Sequence, residues 1–127
     1  MTKPIPRSMH GLLTDYPYVL IVGTAPFWLG FRDQHTPATL CFVLAGLILL
    51  AAVTTRAEWG FVRIVPYKLH LVADVVVGLF ALLTPFLFGF SHDAVPRDAL
   101  IIFGLFGIMA GTLSQTTEMR SDGVPQV

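Results

Sequence analysis

The sequence predicts an all-α fold: an integral membrane four-helix bundle made of two tandem two-helix repeats in parallel orientation. Three observations predict it. The chain of 127 residues is 54% hydrophobic and only 13% charged, with a mean hydropathy of +0.72. Soluble domains carry about 25% charged residues, so a water-facing surface is hard to build here, whereas lipid accepts apolar side chains. The apolar residues gather into four stretches of near-membrane length, and the second pair of stretches echoes the first at a constant offset.

The tail, residues 1–11, is polar and contains Pro4 and Pro6. It lacks the short apolar core and small-residue cleavage site of a signal peptide, so the first apolar stretch is expected to stay in the protein. That stretch runs from Leu12 to Phe31, the second from Ala38 to Thr55, the third from Leu69 to Phe90 and the fourth from Ala99 to Ser114. A helix crosses the hydrocarbon core with about 20 residues, within a range of about 17–25. The fourth stretch is short and needs its flanks to reach the interface. None shows the polar face of a soluble amphipathic helix.

Basic residues set the expected orientation. Lys3 and Arg7 precede the first stretch, Arg56, Arg63 and Lys68 separate the second from the third, and Arg120 follows the fourth. Only Arg32 and Arg97 lie at the opposite ends. Positive residues stay cytoplasmic, so both termini and the middle segment are expected there, in the cell (inner) membrane. The segment 56–68 alternates Trp59, Phe61 and Tyr67 with Arg63 and Lys68, a composition suited to the headgroup region. The expected organisation is a tail 1–11, a two-helix repeat 12–55, an interfacial loop 56–68, a second repeat 69–114 and a tail 115–127.

A shift of 59 residues aligns Ala25–Phe31 (APFWLGF) with Thr84–Phe90 (TPFLFGF). Pro26 falls on Pro85, Phe27 on Phe86, Gly30 on Gly89 and Phe31 on Phe90. The same shift pairs Asp15 with Asp74 and Pro37 with Pro96. Two helices per unit give both copies one orientation, related by a pseudo-two-fold axis along the membrane normal. Each repeated residue has a physical role. Proline late in a helix removes an N–H and loosens a carbonyl one turn earlier, here near Val22 and Ala81. Gly30 and Gly89 suit a left-handed helix end, with Phe31 and Phe90 folding back on the last turn. Pro37 and Pro96 suit the first turn of the returning helix. Asp98 is expected to favour the start of the fourth helix.

At these motifs the chain resembles the SPW-repeat membrane proteins, a family with a short two-helix repeat and a Ser-Pro-Trp motif in its first helix. The corresponding tripeptides are Ala25-Pro26-Phe27, followed directly by Trp28, and Thr84-Pro85-Phe86. The resemblance covers about Leu12 to Ser114. It implies a bacterial or archaeal membrane protein and supplies no catalytic residues.

The polar candidates are few. Asp15 and Asp74 lie within a turn or two of the cytoplasmic starts of the first and third helices. There a carboxylate favours the positive end of the helix dipole, and this capping role is the favoured reading. A paired proton or cation site at the pseudo-two-fold axis is the alternative, because an ionisable group in a span is a functional candidate. His70 and Asp74 are four apart and share a helix face. His10 and Asp15 are five apart and do not, and the 59-residue shift sends His10 to Leu69, so no repeated His–Asp site is expected. A haem anchor needs a histidine from each of two helices; only His70 lies within a span. Asp33 with His35, and His92 with Asp93, read as polar outer turns. Cys41 has no cysteine partner. Gly104, Gly107 and Gly111, with Ala110, make a flat face for close helix packing.

No nucleotide-binding, serine-hydrolase or zinc-protease motif occurs, and the zero net charge gives no nucleic-acid footprint. No metal, cofactor or catalytic site is expected. The expected function is that of a small structural or accessory membrane protein. Its partners are the bilayer and either further copies of itself or a larger membrane complex. The competing classes are a small oligomeric transporter or channel using Asp15 and Asp74, and a haem-binding electron-transfer anchor.

Overall fold

A computed structural model describes residues 5–6, 10–55, 60–62 and 64–114. Within them the chain is all-helical. A π-helical turn, Gly11–Asp15, leads directly into α1 (Tyr16–Trp28), and α2 (His35–Thr54), α3 (Tyr67–Leu87) and α4 (Ala94–Leu113) follow. The only extended pairings among the described residues are the isolated bridges Ile5–Ser114 and Thr55–Val65. Lys3, Arg7, Arg56, Trp59, Arg63 and Arg120, which set the expected orientation and interfacial loop, lie outside the described residues.

Three helices, α2, α3 and α4, are long and apolar enough to cross a membrane. The first stretch departs from the single uninterrupted helix expected over Leu12–Phe31. Its helix is divided: the π turn takes the first 5 residues and leaves α1 with 13. The fourth span is longer than its apolar run. It begins at Ala94 rather than Ala99 and has 20 residues, because Val95 and Pro96 already adopt the helix that Arg97 and Asp98 interrupt only in hydropathy. Asp98 is inside that helix, accepting a bond from Arg97 Nε at 2.9 Å, and does not cap it.

Both outer turns are built alike. Pro26 and Pro85 sit inside the last turns of α1 and α3 and are fully buried. The N–H groups of Leu29 and Phe31 donate to the carbonyls of Ala25 (2.8 Å) and Pro26 (3.0 Å); those of Phe88 and Phe90 donate to Thr84 and Pro85, both at 2.9 Å. Gly30 and Gly89 supply φ of 81° and 79°, a left-handed conformation that costs other residues about 1–2 kcal/mol. Phe31 and Phe90 then turn inward as buried core residues. The carbonyl that Pro85 releases, Ala81 O, accepts a bond from Thr84 Oγ1 at 2.6 Å. In this way the polar residue beside the proline answers the defect that the proline makes.

The glycine face of α4 is used up against α3. An added methyl at Gly104 would lie 2.5 Å from Gly78 O, and one at Gly78 would lie 2.6 Å from Gly104 O. The backbones therefore touch, as small residues allow in membranes. The equivalent approach of α1 to α2 is looser, with Gly23 facing Ala45 Cβ at 3.3 Å. The apolar core, including Val22, Cys41, Leu44, Ala81 and Leu100, fills the middle and the end where the outer turns lie. Outward-facing Leu50, Val76, Leu83, Ile102, Leu105 and Met109 are exposed. Apolar faces directed outward on every long helix suit a lipid surround and form a far larger patch than a soluble monomer carries.

A buried His–Asp cluster as candidate functional site

Four ionisable side chains meet at the end of the helices opposite the outer turns. His10, Asp15, His70 and Asp74 are 2%, 5%, 1% and 3% exposed. Their donor atoms all lie within 4.8 Å of one another. His10 Nε2 is 3.1 Å from Asp15 Oδ1 and 3.2 Å from Asp74 Oδ2. His70 Nε2 is 2.9 Å from Asp15 Oδ2 and 3.4 Å from Asp74 Oδ2. The two Nε2 atoms face each other at 3.2 Å. The carboxylates thus sit between the imidazoles, each within reach of a histidine from the other helix pair.

The π turn is what brings His10 in. Five residues of α-helix would place His10 about 140° around the axis from Asp15, at 100° per residue. The π turn instead closes with Tyr16 N–H bonded to Gly11 O, an i→i−5 bond, so residues five apart stack. Thr14 Oγ1 donates to the His10 carbonyl, which serves the backbone where the helix changes pitch. On α3, ordinary α geometry does the same for His70 and Asp74, four apart. The expectation that His10 and Asp15 lie on different faces is corrected here. Its premise was an α-helix, and the segment is not one.

The outer nitrogens are fixed in the same manner on both sides. His10 Nδ1 lies 2.6 Å from Ser114 Oγ, and His70 Nδ1 lies 2.7 Å from Thr55 Oγ1. Each hydroxyl donates its own proton one turn back, Ser114 to Ala110 O at 2.7 Å and Thr55 to Ala51 O at 2.5 Å. With their protons so engaged, the hydroxyls accept from Nδ1–H. This points Nε2 into the cluster, as a lone pair when the ring is neutral and as an N–H facing the carboxylates when it is protonated. Tyr67 closes one side, its ring edge-on to His10 with centroids 5.7 Å apart.

The capping role expected for the two aspartates is not what their geometry shows. Asp15 stands at the N-cap of α1 without a side-chain cap bond, and Asp74 is the eighth residue of α3. Both face the histidines instead. The expectation of no repeated His–Asp site is corrected with it, since each helix pair brings one histidine and one aspartate to the cluster. A pocket of about 10 Å³ lies beside the cluster, touching Thr14, Asp15, Tyr18 and Asp74. It has room for about one water. His35, Asp33, His92 and Asp93 lie at the far ends and take no part in the cluster.

The SPW repeat domain family profile matches residues 13–114. The chain belongs to the SPW repeat family. Neither a curated protein nor a solved structure matches it. The matched segment includes Asp15, His70, Asp74, Thr55 and Ser114, and it begins just after His10. In SPW terms, Thr84 stands at the serine position, and its hydroxyl bond to Ala81 O gives that position a physical purpose.

Sequence reasoning set His10 apart from the aspartates and did not propose Thr55 or Ser114 for the site. Beyond the π turn the offset between like residues changes by one. Ile5 and Val65, Pro6 and Pro66, and His10 and His70 are 60 apart, whereas Asp15 and Asp74, and Thr55 and Ser114, are 59 apart. The bridges Ile5–Ser114 and Thr55–Val65 follow the same pattern. Allowing one extra residue between positions 10 and 15 would have found His10.

Proposed function

We propose that this SPW repeat protein is a small, non-enzymatic integral membrane protein whose two tandem two-helix repeats are tied together at one end by the His–Asp cluster. It serves as an accessory component that packs with itself or with a larger membrane complex. The repeats run parallel and form a four-helix bundle in the cell (inner) membrane, with α1 and its π turn as the fourth span and both termini cytoplasmic. At 1.5 Å per residue the 13 residues of α1 reach roughly 20 Å, and the π turn extends this towards the hydrocarbon thickness.

The observation that carries this reading is the contrast between the two surfaces of the molecule. The polar groups are spent on one another around a pocket of about 10 Å³, too small for an organic substrate or a porphyrin. The outward faces are apolar and available to helices or lipid. Extraction in mild detergent followed by native mass determination tests it. A stoichiometric complex, with copies of the chain or with a larger partner, is expected; a lone monomer at every detergent concentration sinks the proposal.

The cluster itself favours a second reading, a small oligomeric transporter or channel using Asp15 and Asp74. Under it, Asp15→Asn and Asp74→Asn abolish cation or proton flux in liposomes. Unchanged flux in folded variants removes that reading.

A further inference from the structure

We propose that His10, Asp15, His70 and Asp74 bind one divalent transition-metal ion of the Zn²⁺ class, each side chain giving one ligand atom. This goes beyond the accessory reading and does not depend on it.

The distances carry the inference. Zinc binds imidazole nitrogen and carboxylate oxygen at about 2.0–2.1 Å in tetrahedral sites. Ligand atoms at the corners of such a tetrahedron are then about 3.3 Å apart. The distances recorded between the histidine nitrogens and their neighbours are 2.9, 3.1, 3.2, 3.2 and 3.4 Å. The histidine contacts thus lie near tetrahedral spacing, Asp15 meeting His10 through Oδ1 and His70 through Oδ2, and one ligand atom from each of the four residues lies within 4.8 Å of the others.

Three further features fit. Ser114 and Thr55 hold each Nδ1–H, so both Nε2 lone pairs face inward, and this outer-shell arrangement is typical of metal-bound histidine. Asp74 Oδ2 is buried beside both histidines, yet makes no aligned hydrogen bond to any described residue. It is a polar atom aimed at the centre, with His10 Nε2 at 3.2 Å and His70 Nε2 at 3.4 Å but neither aligned to donate to it. Finally, two carboxylates cancel the charge of a dication, so the loaded cluster is neutral, as a buried site requires.

The donor set also chooses among metals. Calcium takes 6–8 oxygen ligands, and magnesium keeps several waters; the adjoining 10 Å³ pocket cannot hold such a shell. Imidazole with carboxylate at four-coordinate spacing suits zinc, with cobalt as its spectroscopic substitute. Four protein ligands make the site a closed one, which joins helices rather than activating water.

The test uses the full chain in detergent, stripped with a chelator and checked for helicity by circular dichroism. Zn²⁺ is titrated by calorimetry, with Mg²⁺ and Ca²⁺ as comparisons, and Co²⁺ is added for its visible spectrum. The expected result is one Zn²⁺ per chain, the intense visible bands of tetrahedral Co²⁺, and no uptake of Mg²⁺ or Ca²⁺. His70→Ala and Asp74→Asn should remove binding, while His35→Ala and His92→Ala should leave it unchanged. Ser114→Ala keeps all four ligands and therefore keeps the variant comparable if a ligand substitution unfolds the chain; it should weaken Zn²⁺ by about 10–100-fold. Failure of the folded wild type to take up Zn²⁺ overturns the proposal and leaves the cluster a hydrogen-bonded lock. So does binding that survives Ser114→Ala undiminished or disappears in His35→Ala or His92→Ala.

Discussion

Replacing Gly104 by alanine tests whether α3 and α4 touch backbone to backbone at their seam. The added methyl would lie 2.5 Å from Gly78 O, 2.6 Å from Leu82 N and 2.8 Å from Leu82 Cβ. Ordinary contact begins near 3.4 Å, so the helices must part by about 0.9 Å or tilt, and the two closest obstacles are backbone that cannot rotate away. Overpacking of this kind costs about 1–3 kcal/mol, and the upper half of that range is expected here. Gly107 is a graded comparison, its methyl meeting Asp74 O at 3.2 Å, and Gly46 is a control with nothing within 4 Å. Unfolding in mixed detergent micelles with increasing dodecyl sulfate, followed by circular dichroism, reads the difference. The expected order of loss is Gly104→Ala, then Gly107→Ala, with Gly46→Ala neutral or slightly stabilising because alanine is the better helix former. A Gly104→Ala protein within about 0.5 kcal/mol of wild type, or an equal loss at Gly46, would refute a backbone contact at this seam.

The remaining expectations concern the cluster. Deleting Leu13, which faces outward, should convert the π turn to α-helix and leave His10 four residues before the aspartate, as His70 stands before Asp74. Stability should stay within about 1 kcal/mol of wild type. Deleting Val72 from α3 should instead turn His70 about 100° away from Asp74 and cost about 3–5 kcal/mol through unpaired buried charge; equal losses for the two deletions would contradict the role given to the π turn. Thr55→Ala and Ser114→Ala should each cost about 1–3 kcal/mol, because a buried imidazole N–H loses its acceptor. Thr55→Ser and Ser114→Thr should restore most of it in the same unfolding assay, and no difference between the alanine and hydroxyl variants would count against the tautomer assigned here.

Much of the frame was legible in the sequence because its signals are local. Proline, glycine and phenylalanine at fixed spacing specify a helix end by backbone chemistry alone, and Gly30 and Gly89 take the left-handed conformation that this spacing implies. The glycines of α4 announced a close seam, though only the structure shows that its partner is Gly78 of α3. The site was less legible. Asp15, His70 and Asp74 stood out as polar residues in or beside apolar runs, but His10 is visible only once one helical turn changes pitch. A π turn leaves little compositional trace, since Gly11–Asp15 reads as an ordinary helix start. Thr55 and Ser114 marked only the ends of apolar stretches, because a hydroxyl at a helix end has many ordinary uses. Their importance comes from a contact between residues 15 or 104 positions apart, which no local pattern encodes.

In the proposed function the two helix pairs are held together through this cluster. A double-mutant cycle on His70 and Asp15 tests it most directly, since these residues come from different pairs and their atoms are 2.9 Å apart. His70→Ala, Asp15→Asn and the double variant are compared in the detergent unfolding assay. A coupling energy of about 1–3 kcal/mol is expected. Additive losses, with coupling below about 0.3 kcal/mol, would mean that the two side chains do not act on each other and would contradict the account.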